Sequence, residues 1–243
     1  MWRIVRVMGP VDARGVGRDG LLRWILLLPL ALALAARWLL PALLAEMETL
    51  LGLALLPYYR PVMGYVLATL APFMVGFVVG FLLLDQRDDR TLVALQVTPL
   101  PLSGYLAYRL ALPLLVSVPV TMLVLPVSGL AALTAVQLLL VAVAAAPQAP
   151  LLALLLAALA QNKVQGFALL KASSVVMLPP LLAYFLPPPW PLLLGIVPTV
   201  WPARLFWALQ AGDPAGLLLA AALAYQGLLL LALARAFRRV MTR

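Results

Sequence analysis

The sequence predicts an all-α, polytopic membrane protein, and three observations support this fold class. Hydrophobic residues make up 65% of the 243 residues and charged residues only 10%, with a mean hydropathy of +1.10. A soluble domain carries roughly 25% charged residues, so this chain lacks the polar surface that water requires. The apolar residues also form blocks of about 20 residues, the length that crosses a bilayer as a helix. A membrane β-barrel would instead show short segments of alternating hydrophobicity.

Six apolar blocks predict six transmembrane helices in a single transmembrane domain that covers residues 1–243. The predicted spans are residues 23–44, 62–84, 105–125, 134–160, 167–186 and 217–236. Before the first span, residues 1–22 combine apolar and basic side chains, which predicts an amphipathic segment in the headgroup layer. Three glycines within residues 11–20 favour a flexible connection from this segment to the first span.

The basic residues lie mainly on one side of the predicted spans. They cluster before the first span, in the second and fourth loops and after the last span, and only Arg37, Arg60 and Arg204 lie towards the other side. The positive-inside rule therefore predicts an inner-membrane protein with both termini and the even-numbered loops in the cytoplasm. The net charge of +9 then reflects topology and attraction to the anionic lipid bilayer, and it does not indicate a nucleic-acid partner.

Two helices carry patterns that predict how they pack. Gly76 and Gly80 form a G-x-x-x-G motif in the second span, which favours a close contact inside the bundle over a dimer contact. Pro147 and Pro150 predict a bend near Gln148 in the fourth span. Neighbouring helices must then satisfy the backbone carbonyls that this bend releases.

Residues 187–216, between the last two spans, cannot form one regular helix because repeated prolines remove backbone donors. Two apolar stretches, at 192–197 and 203–209, predict short helices in an external re-entrant hairpin. Trp190, Trp201 and Trp207 are expected to anchor it at the outer interface.

Residues 85–104 form the most polar loop, and five of the 25 charged residues lie within its first six positions. Acidic residues followed by an apolar stretch and two prolines predict a short cytoplasmic helix. A solvated surface loop explains the mixed charge equally well. The candidate functional residues in this loop are Asp85, Gln86, Arg87, Asp88, Asp89, Arg90, Thr91, Leu92 and Leu95.

Residues 85–109 resemble the first cytoplasmic loop of type-2 ABC exporter permeases. The pattern is a mixed-charge cluster, Thr-Leu, Thr-Pro-Leu, and an aromatic and a basic residue that enter the next helix. It is matched here by Arg87, Asp88, Thr91, Leu92, Thr98, Pro99, Leu100, Tyr105 and Arg109. Residues 18–23 are similar to the same family's segment before its first helix, although Gly20 stands at a common proline and Arg90 at a common glycine. The chain is most similar to small bacterial permease subunits for fluoroquinolone or multidrug export.

This resemblance implies that residues 85–97 form a coupling helix that docks on a separate dimer of ABC ATPase subunits. It also implies a second permease copy or a paralogue, and export of a hydrophobic or amphipathic small molecule. No G-x-x-x-x-G-K-[ST] motif occurs, and the only lysines are Lys163 and Lys171. The chain is therefore expected to be a transport subunit without catalytic residues or its own cofactor, with ATP and magnesium bound by the ATPase.

Polar residues inside the spans are the candidates for the substrate path, since such residues are rare in a bilayer. They are Ser117, Thr121, Gln137, Gln148, Ser173, Ser174 and Gln226. Hydroxyl groups of this kind often bond back to their own helix instead. The chain has no histidine and no cysteine, which removes the usual ligands of zinc and haem iron, and no metal site is predicted.

Three other interpretations remain at this point. A haem-export-type ABC permease also has six spans and a charged first loop. A secondary transporter, not coupled to ATP, requires ionisable residues near the middle of the membrane, and no acid lies inside a predicted span. A phosphatidyl-transferase-like enzyme requires clustered acids for a metal, and the spacing of Asp85, Asp88 and Asp89 does not match that pattern.

Overall fold

A computed structural model describes residues 2–88, 102–187 and 189–241 of the chain. The regular elements of these residues are all helical. The α-helices are α1 (Trp2–Arg18), α2 (Gly20–Leu51), α3 (Leu56–Asp88), α4 (Leu102–Ser128), α5 (Ala135–Ala145), α6 (Gln148–Leu159), α7 (Lys163–Ser173), α8 (Leu178–Phe185), α9 (Trp190–Leu193), α10 (Val200–Ala211) and α11 (Gly216–Met241). Short 3₁₀ turns at Ser174–Met177 and Leu194–Ile196 follow α7 and α9. The predicted all-α class is confirmed.

Six helical segments of the described chain are long and apolar enough to cross a membrane. They are Gly20–Leu51, Leu56–Gln86, Ala107–Ser128, Ala135–Leu159, Lys163–Phe185 and Gly216–Ala236. Each overlaps one predicted span, so the predicted number and order are confirmed. The second segment is the centre of the bundle. Within its most apolar 18-residue stretch 89% of the residues are buried, against 17% for the first segment and 11% for the sixth. The outer helices instead expose large apolar side chains, as lipid-facing helices do.

The N-terminal segment differs from the prediction in one respect. Residues 11–18 are not a flexible connection, because α1 continues as a helix from Trp2 to Arg18. Gly15 lies where α1 meets α3, and a methyl group there would come within 3.4 Å of the Leu82 side chain. The neighbouring Val16 packs against the apolar cluster that contains Leu82, and this contact offsets the low helix propensity of glycine. Asp19 then caps α2 by accepting a hydrogen bond from the backbone N–H of Leu21 at 2.9 Å.

The G-x-x-x-G motif packs α3 against α6 within the bundle, as predicted. A methyl group on Gly76 would lie 2.3 Å from the carbonyl oxygen of Ala149, and one on Gly80 would lie 2.7 Å from the Leu156 side chain. At Gly76 the obstacle is backbone, so only glycine permits this separation of the two helices, whereas at Gly80 the Leu156 side chain would have to shift. The motif is therefore buried between helices of one chain.

The fourth span is broken where its prolines predict a bend. Helix α5 ends at Ala145 and α6 begins at Gln148, with a turn between them. Gln226 of α11 donates its side-chain Nε2–H to the carbonyl oxygen of Ala144 at 2.8 Å. A neighbouring helix therefore satisfies a carbonyl at the break, which a bilayer would leave without a partner.

Residues 187–216 contain two helical pieces, α9 and α10, as predicted. Helix α10 packs tightly on the start of α3, where Phe206 is fully buried and Trp207 donates its indole N–H to the carbonyl oxygen of Pro61 at 2.9 Å. Gly212, with φ of +81°, ends α10 in the left-handed conformation that favours glycine. The re-entrant placement of this segment in the membrane stays a prediction.

Candidate functional site

Two regions carry the residues that the sequence singles out: the end of α3 with the helices around it, and a cavity at the break between α5 and α6. At the first, α3 continues through Asp88, so the charged loop begins later than position 85. Asp85 and Gln86 are half-buried there, and Arg87 belongs to the same last turn. The remaining coupling candidates, and the predicted coupling helix itself, lie outside the described residues: Asp89, Arg90, Thr91, Leu92 and Leu95.

An ion pair holds the last turn of α3 against two neighbouring helices. Lys163, at the start of α7, places its Nζ 2.9 Å from a carboxylate oxygen of Asp85 and 3.7 Å from one of Asp19. The lysine side chain is 44% exposed, so this contact is worth no more than about 1 kcal/mol. It positions the start of α2, the end of α3 and the start of α7 relative to one another.

A buried ion pair joins α1 to α4. Arg109 donates from Nη1 and Nη2 to the two carboxylate oxygens of Asp12, at 2.9 and 3.1 Å. Tyr108 donates its hydroxyl to the same carboxylate at 2.7 Å. Asp12 is 5% exposed and Arg109 2% exposed, so both charges are removed from solvent and each is satisfied by the other. Such a two-pronged contact fixes the distance and orientation between the helices.

The same network reaches the end of α3 through Tyr105. The Tyr105 hydroxyl accepts a hydrogen bond from Arg109 Nε at 3.3 Å and donates to Gln86 Oε1 at 2.7 Å. Since Gln86 precedes the charged loop and Tyr105 follows it, the two ends of this loop are linked to each other and to α1.

Sequence reasoning found Tyr105 and Arg109 but missed Asp12. It placed Asp12 in a flexible connection, where an acid needs no partner. The sequence did contain one signal of such a partner. Arg109 is an arginine inside the apolar third span, and a charge at such a position requires an oppositely charged or polar partner. Asp12 is 97 residues away in the sequence, so its identity as that partner emerges only from the fold.

The second region is a cavity of about 230 Å³ that is partly open to the surface of the bundle. Its walls come from α3, α6, the junction after α7, residues 198–199 and α11. Most of the wall is apolar, with Phe73, Leu152 and Leu229 among its side chains. Two of the predicted path residues, Gln148 and Ser173, contribute to this wall. The structure thus brings together residues from the fourth and fifth spans.

Gln148 is the most unusual residue of this cavity. It is 3% exposed, and neither Nε2 nor Oε1 of its amide has a hydrogen-bond partner within the described residues. Each unpaired buried polar atom costs roughly 1–3 kcal/mol. The hydroxyl of Thr199 in the same wall is instead satisfied by the carbonyl oxygen of Val176.

The other predicted path residues lie away from this cavity and have local partners. Ser117 and Thr121 bond back to carbonyl oxygens of α4, at 3.0 and 2.8 Å. Ser174 does the same after α7, at 2.6 Å. Gln137 takes part in the capping box that begins α5, and Gln226 satisfies the carbonyl at the α5–α6 break. Among residues 2–88, 102–187 and 189–241, no group of three acidic side chains is placed to bind a metal ion.

Comparison with known proteins gives matches over most of the chain. Residues 12–234 match the family described as "Fluoroquinolones export permease protein Rv2686c-like". Two proteins of Mycobacterium tuberculosis, Fluoroquinolones export permease protein MT2760 of strain CDC 1551 / Oshkosh and Fluoroquinolones export permease protein Rv2686c of strain ATCC 25618 / H37Rv, are each 30% identical over 207 residues. The match covers 84% of this chain and 82% of each relative. No solved structure matches the chain.

Proposed function

Because the chain belongs to the Rv2686c-like family of fluoroquinolones export permease proteins, we propose that it is the membrane-spanning subunit of an ATP-driven ABC exporter. The observation that carries this proposal is the extent of the family match, which includes the six candidate spans and the charged loop after α3. The cargo is a hydrophobic or amphipathic small molecule such as a fluoroquinolone. It leaves the cytoplasm or the inner leaflet.

ATP hydrolysis takes place in a separate ATPase dimer that docks on residues 85–97. The geometry around this segment supports such a role. Helix α3 runs without interruption from the centre of the bundle to Asp88, so a displacement of the loop reaches the most buried helix directly. Hydrogen bonds from Gln86 to Tyr105 and from Tyr105 to Arg109 join the end of α3 to the start of α4. Through Arg109 and Asp12 they also join α1, so the three helices would move together when the loop is displaced.

The working exporter contains two permeases, either two copies of this chain or one copy with a paralogue. The large apolar side chains exposed on the outer helices supply surface for that contact and for lipid. Both termini and the charged loop lie in the cytoplasm of a bacterial cell, as the positive-inside distribution predicts.

Co-purification with an ABC ATPase subunit from the same organism, co-expressed with the chain, tests this function. Wild type is compared with Asp88→Lys/Arg90→Glu, which reverses two charges in the proposed docking segment. The matched control is Arg204→Glu/Asp213→Lys, which reverses two charges in the segment around α10. We expect the ATPase to be retained by wild type and the control and lost from the first variant, because charge pairs set docking register. A chain that never retains an ATPase contradicts the proposal and favours a secondary transporter.

A further inference from the structure

We propose that the cavity beside the α5–α6 break recognises an uncharged aromatic molecule of about two fused rings, which carries a hydrogen-bond donor and an acceptor next to each other. Gln148 is the residue that distinguishes this ligand from a hydrocarbon. The identification of this ligand with the exported cargo rests on the proposed function. The binding of the ligand in the cavity does not rest on it.

The size and lining of the cavity set the class of ligand. Its volume of about 230 Å³ exceeds the roughly 150 Å³ that holds a benzene molecule and is below the usual range of drug-sized pockets. None of the residues that line it is charged. A charged ligand would lose its hydration without gaining a counter-ion, so the ligand is neutral in the cavity. Apolar side chains such as Phe73 and Leu152 favour a flat, apolar body.

The amide of Gln148 supplies the polar recognition. Both of its polar atoms are buried and without partners in the described chain, and the bound ligand is the partner they lack. Gln226 differs from Gln148, because its Nε2 donates to the carbonyl oxygens of Ala144 and Ala222 and only its Oε1 lacks a partner within the described residues. The terminal torsion of a glutamine turns readily, so the amide can direct its donor and acceptor to a ligand.

The chemistry of a primary amide defines the matching group. Its N–H and C=O lie side by side, so a lactam, a second primary amide or a protonated carboxylic acid can pair with both at once. Ser173 lies in the same wall, and its hydroxyl can donate to a second acceptor on the ligand. The break between α5 and α6 places Gln148 at the first turn of α6, facing these groups.

Binding to the isolated chain in lipid nanodiscs tests this inference. The probes are 2-quinolone, whose lactam matches the amide, and N-methyl-2-quinolone, whose donor is blocked. Equilibrium dialysis against empty nanodiscs corrects for partition into lipid. The variant is Gln148→Met, which keeps the length of the side chain and removes its polar atoms. Gln137→Met is the matched control, since that glutamine caps α5 outside the cavity.

We expect wild type and Gln137→Met to bind 2-quinolone about tenfold more tightly than its N-methyl analogue, because the methyl group removes one hydrogen bond, the N–H donated to Gln148 Oε1. In Gln148→Met the ratio falls to about one, while binding of the N-methyl analogue persists and shows that the cavity is intact. A ratio near one in wild type overturns the inference, and so does an unchanged ratio in Gln148→Met. Because no ATPase is present, failure here is separate from failure of the coupling proposal, which is measured by ATPase retention.

If Gln148→Met does not fold, Leu152→Trp serves in its place by filling the cavity from the next turn of α6. We then expect both probes to lose binding beyond lipid partition. Retained binding of 2-quinolone in this variant places the molecule elsewhere and overturns the inference.

Discussion

Removal of the Arg109 guanidinium tests the buried network that joins α1 to α4. In Arg109→Met the Asp12 carboxylate loses two of its three hydrogen-bond donors and its counter-charge, and keeps only Tyr108. Breaking a buried pair on one side costs about 3–5 kcal/mol, because the remaining charge stays buried without compensation. For a chain of 150–250 residues each kcal/mol shifts the Tm by roughly 2–4 °C, so we expect a decrease of roughly 6–20 °C.

Thermal unfolding in detergent, followed by circular dichroism, measures this decrease. The double variant Asp12→Leu/Arg109→Met removes both charges, and we expect it to recover most of the lost stability, since apolar replacement of a whole buried pair is often neutral. Arg14→Met is the control, because Arg14 lies on the same helix as Asp12 and is exposed. A Tm of Arg109→Met within about 2 °C of wild type would refute the role of the pair. A double variant no more stable than the single one would do the same.

Three further changes test other contacts. Gly76→Ala should destabilise the bundle by about 1–3 kcal/mol, because its methyl group would overlap the backbone of Ala149. Gly227→Ala is the control in the same unfolding assay. Its methyl group meets no atom within 4 Å, so this variant should be neutral or slightly stabilised. Gln226→Leu should lower stability by about 0.6–2 kcal/mol by leaving the carbonyl at the end of α5 unpaired, and no change would show that water or lipid replaces the bond. Lys163→Ala should change the unfolding free energy by less than about 1 kcal/mol, and the difference should shrink at high salt.

Much of the fold could be predicted because the bilayer imposes a simple length rule. Blocks of about 20 apolar residues identified all six spans. The prolines near Gln148 predicted the break, since proline removes a backbone donor wherever it occurs. The packing of Gly76 followed from the absence of a side chain. In each case the physical cause lies within a few residues of the position that it affects.

The remainder depends on contacts between distant parts of the chain. Glycines in α1 predicted a flexible segment, but Val16 packs against the cluster that contains Leu82, and Asp12 pairs with Arg109 of α4. Seven residues were predicted to line the substrate path only because they are polar and lie inside spans. That criterion cannot distinguish Gln137, whose side chain caps a helix, from Gln148, whose amide has no partner within the described residues. That distinction requires the positions of neighbouring backbone groups, which no local pattern contains.

ATP-driven uptake of a fluoroquinolone by inside-out proteoliposomes tests the central claim most directly. The vesicles contain this chain with its ATPase, and the drug is measured inside them with ATP, without ATP, and with Asp88→Lys/Arg90→Glu in place of wild type. We predict accumulation that requires ATP and is lost in the charge-reversal variant. Accumulation that follows a proton gradient and is indifferent to ATP would contradict the assignment to an ABC exporter.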